Sequence, residues 1–354
     1  MEYIYEYGLF FAQAATFVVA VLILVAGLAS IAMRQRADQN EGHIEIRDLN
    51  DKYRHIGDVI HSVIDEPASL KEKKKAEKKS EKAIAKAAKK QRKKGEEPSP
   101  EDRRKRLYVM NFDGDIRASA AENLREEISA VLPQIQDGDE ILVKVESPGG
   151  MVHSYGLAAS QLQRIKTAEV PLIIAVDKVA ASGGYMMACV ADRIIAAPFA
   201  VLGSIGVIAQ LPNFHRLLQK SNIDFELLTA GEYKRTLTMF GENTDKGREK
   251  FVEELEETHT LFKNFVSANR PALDIAKVAT GETWYGQNAV AEGLIDELQT
   301  SDAFVQARLT DWDVFEVKFV HKKNWQEKMG LAAESAVERA FLKIWQRGQG
   351  GRNY

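Results

Sequence analysis

The feature that most constrains the fold is an alternation that begins near residue 107 and persists to about residue 298. Apolar runs of strand length, at 107–112, 140–145, 170–176 and 193–197, are separated by amphipathic stretches of helical period at 119–132 and 154–166. That alternation is the pattern of an α/β domain. In such sheets functional groups collect at the carboxyl ends of the strands. Two turns fall there: Ser147-Pro148-Gly149-Gly150 after the run 140–145, and Asp177-Lys178-Val179-Ala180-Ala181-Ser182-Gly183-Gly184-Tyr185 after the run 170–176.

Ser182 stands at a strand-to-helix turn. A serine there projects its hydroxyl out of a sharp bend, and the amides that open the next helix face any oxyanion formed nearby. The glycines of the first turn can offer bare amide donors. A serine needs a base at neutral pH. Of the seven histidines only His153 lies near a motif, and no aspartate partner accompanies it, so it reads as a surface or helix-start residue. Lysine can replace histidine when its amine is neutral, a state that burial favours. Lys234, in Gly231-Glu232-Tyr233-Lys234-Arg235, is the candidate.

These motifs, over residues 107–298, resemble the signal peptide peptidase A family of membrane-bound serine peptidases. Ala181-Ser182-Gly183-Gly184-Tyr185 corresponds to the family's nucleophile motif, and Gly231-Glu232-Tyr233-Lys234 to its lysine motif, 52 residues after the serine. The resemblance implies that Ser182 and Lys234 form a catalytic dyad, that the amide of Gly149 stabilises the oxyanion with Gly150 as its support, and that Ser204 of Gly203-Ser204-Ile205-Gly206 orients the lysine. Many relatives carry asparagine immediately before the Ser-Pro-Gly-Gly turn, where Glu146 stands here. The implied fold is that of the Clp protease and crotonase superfamily, a spiral of ββα units. No cofactor, metal or nucleotide is implied. Relatives assemble as rings in which serine and lysine can come from neighbouring subunits, so a homo-oligomer is expected, acting on hydrophobic peptides such as signal-peptide remnants.

The rest of the chain places this unit. Residues 9–33 are apolar apart from Gln13, Thr16 and small residues, long enough for one transmembrane helix. Glutamates at positions 2 and 6, where a signal peptide needs lysine or arginine, favour a retained anchor over a cleaved leader. The expected organisation is therefore an anchor over 1–33, a polar lysine-rich linker over 34–106, a catalytic domain over 107–300, and a tail over 301–354 with a strand at 314–320 and an amphipathic helix ending near residue 345.

Within the linker, residues 71–94 hold 13 basic and 3 acidic residues, a net +10 in a chain whose total is −3, which leaves −13 elsewhere. Basic charge confined to one block excludes nucleic acid as the partner of the folded unit and suits a solvated segment or a contact with anionic lipid. Arg34, Arg36 and the lysine run draw the carboxyl-terminal side toward the cytoplasm, whereas the resemblance implies a bacterial inner-membrane protein with a periplasmic active site. Residues 194–214 carry no charge but are interrupted by Pro198, Gly203, Ser204, Gly206 and Pro212, and read as strand and loop rather than a second span. Residues 246–269 read as a long charged helix, and 284–298 as a helix closing the domain. The single cysteine, Cys189, reads as a small core residue. Two alternatives share the fold: a crotonase-like acyl-CoA enzyme using similar glycine turns, and a membrane scaffold without turnover.

Overall fold

The computed structural model describes residues 42–65, 79 and 103–322. Its elements begin with β1 (Gly42–Asp48), α1 (Leu49–Ile64), β2 (Arg106–Asp113), α2 (Ala121–Val131), β3 (Glu140–Glu146), α3 (Val152–Thr167), β4 (Leu172–Val176), β5 (Val179–Ala181) and α4 (Gly183–Ala188). They continue with β6 (Arg193–Ala196), β7 (Val201–Gly203), α5 (His215–Lys220), α6 (Asp245–Asn269), α7 (Ile275–Val278), β8 (Thr283–Tyr285), α8 (Gly286–Ala289), β9 (Glu297–Leu298), α9 (Ser301–Arg308) and β10 (Asp313–His321). The chain divides into a large unit, Ile46–Lys318, and a small one formed from the chain on either side of it.

The main sheet has the order β1-β10-β2-β3-β4-β6-β9. Every pairing from β10 to β9 is parallel. A strand covered on both faces must be apolar at every position, and Leu172-Ile173-Ile174-Ala175-Val176 is buried throughout. α3 buries Tyr155, Ala158, Ala159, Leu162 and Ile165, the spacing of a helix with one face on the core. A second, three-stranded sheet, β5-β7-β8, pairs β5 with β7 in parallel and β7 with β8 antiparallel. Twice a main-sheet strand is followed within a few residues by a strand of the small sheet, first β4 and β5, then β6 and β7.

Several expectations change. Residues 34–106 are not all linker: β1 and α1 lie inside that range, and Leu49 and Tyr53 pack on the core cluster of Val109, Leu142 and Phe304. Asn50 fixes α1 in place, donating to the carbonyls of Leu309 and Trp312 at 2.8 Å each and accepting from the Val314 amide at 2.7 Å. The large unit also takes in α9 and most of β10, because β10 completes the sheet beside β2. Residues 284–298 form no single helix. Trp284 pairs with Leu202 across β7 and β8, and Gly293, at φ +76°, turns the chain before β9.

Residues 194–214 form β6, β7 and loop. Among the described residues no helix is long and apolar enough to cross a membrane. The expected anchor at 9–33, the lysine-rich run and the C-terminal amphipathic helix lie outside the described residues.

Candidate active site

Three backbone segments converge on Ser182. From β4 the chain turns through Asp177 and Lys178 into β5, which delivers the serine to the start of α4. On one side the Ser147 turn is joined to β5, with the Ser147 amide donating to the Val179 carbonyl at 2.8 Å and the Ala181 amide to the Ser147 carbonyl at 3.0 Å. On the other side the Ser182 amide donates to the Gly203 carbonyl of β7 at 2.8 Å. Ser182 is held at φ 52° and ψ −117°. A non-glycine residue in such a conformation costs about 1–3 kcal/mol and persists only where its surroundings over-determine it. Here the neighbours on both sides do so, and the serine is half-buried within an otherwise buried segment.

Gly149 lies directly against this serine, and Gly150 follows it against Ile116. At Gly149, φ +92°, a Cβ would stand 2.7 Å from the Ser182 Cβ and 2.8 Å from the Gly183 nitrogen. At Gly150 a Cβ would run into the carbonyl of Ile116, which also accepts from the Met151 amide at 2.8 Å. The turn and the serine are therefore in contact, as the motifs predict. One detail differs from expectation. The Gly149 amide, expected to serve the oxyanion, donates to the Ser147 hydroxyl at 3.1 Å and is engaged in the single chain. The Ser182 amide is likewise engaged by Gly203. The next amides along, those of Gly150 and Gly183, have no acceptor among the described residues.

Ser204 follows Gly203 and has φ 52°, with its amide donating to the Glu282 carbonyl at 2.6 Å. It thus sits one residue beyond the carbonyl that holds the Ser182 amide. Lys234 makes no hydrogen bond to either serine among the described residues. It lies in an exposed turn opened by Gly231 at φ +98°, its amide donates to the Gly231 carbonyl at 3.2 Å, and its amine has no hydrogen-bond or ion-pair partner among the described residues. Neighbouring charges pair with each other instead, Lys246 with Glu232 at 2.5 Å. His153 is exposed. Cys189 is buried and donates to the Met186 carbonyl, and burial pushes its thiol up to about 12, which leaves it a core residue with no nucleophilic role.

Beneath the turn lies a pair that the motifs did not single out. Ser147 and Tyr155 are both fully buried, and their hydroxyls are 2.5 Å apart. The Tyr155 hydroxyl also donates to the Asp115 carbonyl at 2.7 Å. Burial pushes the Tyr155 phenol above its ordinary range, so it stays protonated. The only sequence signal was an aromatic residue in the first turn of a helix otherwise rich in small residues.

The family model described as "Peptidase family S49 N-terminal" matches residues 2–162, and that described as "Peptidase family S49" matches residues 164–314. A probable protease SohB of Haemophilus influenzae is 51% identical, covering 94% of this chain and 93% of the relative. One from Buchnera aphidicola subsp. Schizaphis graminum is 44% identical, covering 98% of each. A putative signal peptide peptidase SppA of Enterococcus faecium is 27% identical, covering 60% of this chain and 67% of the relative. Among solved structures, a substrate-peptide complex of the 1510-N membrane-bound stomatin-specific protease aligns with 64% of this chain and 96% of its own at 14% identity and a TM-score of 0.39. With the two family models matched in succession and SohB proteases similar along almost the whole length, the chain belongs to peptidase family S49 and is a peptidase.

Proposed function

We propose that the chain is a membrane-anchored serine endopeptidase with Ser182 as its nucleophile and Lys234 as its base, acting on hydrophobic peptides such as signal-peptide remnants. The observation that carries this reading is the strained Ser182, held at φ 52° against the side-chain-free face of Gly149. A peptide carbonyl set over that serine has two unengaged amides beside it, Gly150 and Gly183, and these replace Gly149 as the oxyanion donors of the mechanism.

In the proposed reaction the Ser182 hydroxyl passes its proton to the Lys234 amine as Oγ bonds to the carbonyl carbon. The oxyanion accepts from the two amides. On collapse, the leaving amine takes the proton from Lys234 and departs, and the acyl group remains as an ester on Ser182. Water gives a proton to the same amine as its oxygen bonds to the ester carbon, and on collapse the bond to Ser182 Oγ breaks, Lys234 returns that proton to Oγ, and the acid is released. Because Lys234 is exposed in the single chain, the reading includes a second copy that brings a lysine turn to Ser182, with Ser204 orienting the amine there. The succession of β4 with β5 and β6 with β7 supports the spiral of ββα units that the resemblance implies. The apolar residues 9–33 support an anchor in the bacterial inner membrane, and the resemblance supports a periplasmic active site.

Labelling of the full-length protein with a fluorophosphonate tests the dyad. The expected result is labelling of the wild type and none of Ser182→Ala or Lys234→Met. Wild-type labelling rates in Lys234→Met would remove the lysine from the mechanism.

A further inference from the structure

One buried side chain touches both halves of the oxyanion site, and the direction of its hydrogen bonds is determined. The Asp115 carbonyl can only accept, so the single phenolic proton of Tyr155 is committed to it at 2.7 Å. Tyr155 Oη must therefore accept from the Ser147 hydroxyl at 2.5 Å, which leaves Ser147 Oγ a lone pair for the Gly149 amide at 3.1 Å. The chain of bonds runs one way, from the Gly149 N–H through Ser147 and Tyr155 to Asp115. Every member uses each proton once; Gly149, Ser147 and Tyr155 are buried, and Asp115 at the end of the chain is exposed.

The other half is reached by the ring. A Cβ at Gly183 would strike the aromatic ring of Tyr155, so the residue after the nucleophile rests directly on it. Space around the hydroxyl pair is equally tight. A Cβ at Gly114 would come within 2.5 Å of Ser147 Oγ and 2.6 Å of Tyr155 Oη.

We propose that Tyr155 is a positioning residue for catalysis: through Ser147 it fixes the Gly149 peptide, and through its ring it supports Gly183, so that the amides of Gly150 and Gly183 face the oxyanion together. The inference rests on the reading of Ser182 as nucleophile. Donors aimed at a developing charge must be set before the reaction, and a turn free to rotate loses that aim while still admitting substrate. Removing one hydroxyl from the chain should therefore slow acylation without weakening encounter.

The test uses the full-length protein and a fluorophosphonate, whose phosphoryl oxygen needs the same donors. Its maximal labelling rate and half-saturating concentration are measured for wild type, Tyr155→Phe, Ser147→Ala and the double variant, with Ser182→Ala as the reference for specific labelling. Tyr155→Phe keeps the ring and Ser147→Ala keeps the tyrosine; both remove the bond between the two hydroxyls, the first together with the bond to Asp115 and the second together with the bond from Gly149. The maximal rate is expected to fall about 10- to 100-fold in each single variant, less than or equal to the loss of a donor itself, with the half-saturating concentration within about twofold. The double variant is expected to fall no further than the worse single one, because both act through one amide.

A role confined to stability would instead lower the melting temperature while leaving the rate per folded molecule unchanged, and would overturn the proposal, as would additive losses. If Tyr155→Phe does not fold, the rate of Ser147→Ala decides by the same criterion. Labelling of Ser182→Ala at wild-type rate would remove the nucleophile reading along with this one, whereas Ser182-dependent labelling that ignores both hydroxyls would remove this one alone.

Discussion

At Gly149 two independent constraints coincide, and they make different predictions from those at an ordinary turn glycine. Its φ of +92° disfavours any side chain, and the space a Cβ would occupy is filled by the Ser182 Cβ, the Ala181 carbonyl and the Gly183 nitrogen, none of which can rotate away. Gly149→Ala is therefore expected to cost about 1–3 kcal/mol of stability and to lower the fluorophosphonate labelling rate by about 100-fold or more. Gly281 supplies the control, with φ +86° and nothing within 4 Å. Gly281→Ala should lose about 1 kcal/mol through backbone strain with labelling unchanged. Equal labelling in the two variants would show that the crowding at Gly149 is irrelevant to the site. The contact between the Ser147 turn and Ser182 was legible in the sequence because both motifs are local backbone patterns at strand ends. The identity of the free amide was not, since it depends on Ser147 capturing the Gly149 N–H. Tyr155 escaped notice for the same reason: its partners, Asp115 and Ser147, are set by how β2, β3 and α3 meet rather than by spacing along the chain.

Elements are held by a few hydrogen-bonded polar residues as well as by the apolar core. Asn50 has both ends of its amide satisfied by the backbone at Leu309, Trp312 and Val314. Asn50→Ala leaves those three groups without it, and a loss of about 2–3 kcal/mol in chemical denaturation is expected. A loss under about 0.5 kcal/mol would mean α1 is held by Leu49 and Tyr53 alone. A second clamp joins the end of α6 to β6. Arg270 meets Asp296 through two bonds of 2.8 and 2.9 Å, and the Ile194 amide donates to the same carboxylate at 2.7 Å. Burial alone pushes the Asp296 carboxyl up, but the Arg270 fork and the Ile194 amide outweigh it, and the net shift is downward from the ordinary 3.8. A carboxyl lowered in the native state stabilises at pH above its unfolded value, and that contribution disappears as pH falls through the native one. The melting temperature of wild type should exceed that of Asp296→Asn at pH 7, with the gap closing below about pH 4. A gap unchanged between pH 7 and pH 3 would assign the clamp no electrostatic role. The long strands and helices were legible because periodicity needs length. β5 and β7, three residues each, are too short to show it, and α1 was hidden because Leu49 is its one buried residue.

Across the whole molecule, the segment between β7 and α6 is mostly exposed. Ile208 is 78% exposed, Leu217 59% and Leu228 90%, on the same stretch that carries the exposed Lys234. Scattered apolar residues on a surface are ordinary, but a concentration of them beside the lysine of the proposed dyad is the composition of a contact surface. Burying that stretch against another copy would withdraw the lysine amine from water, the condition under which a lysine serves as a base. Two predictions separate this arrangement from a dyad closed within one chain. Ser182→Ala and Lys234→Ala, each inactive alone, are expected to recover labelling when co-assembled, because a junction between the two variants can pair an intact serine with an intact lysine. Leu228→Asp is expected to weaken assembly and labelling together while leaving the melting transition of the folded unit in place, since an exposed side chain contributes little to the core. If mixed assemblies form but stay unlabelled, serine and lysine belong to the same chain, and the segment must then fold back over Ser182 rather than reach across to a neighbour.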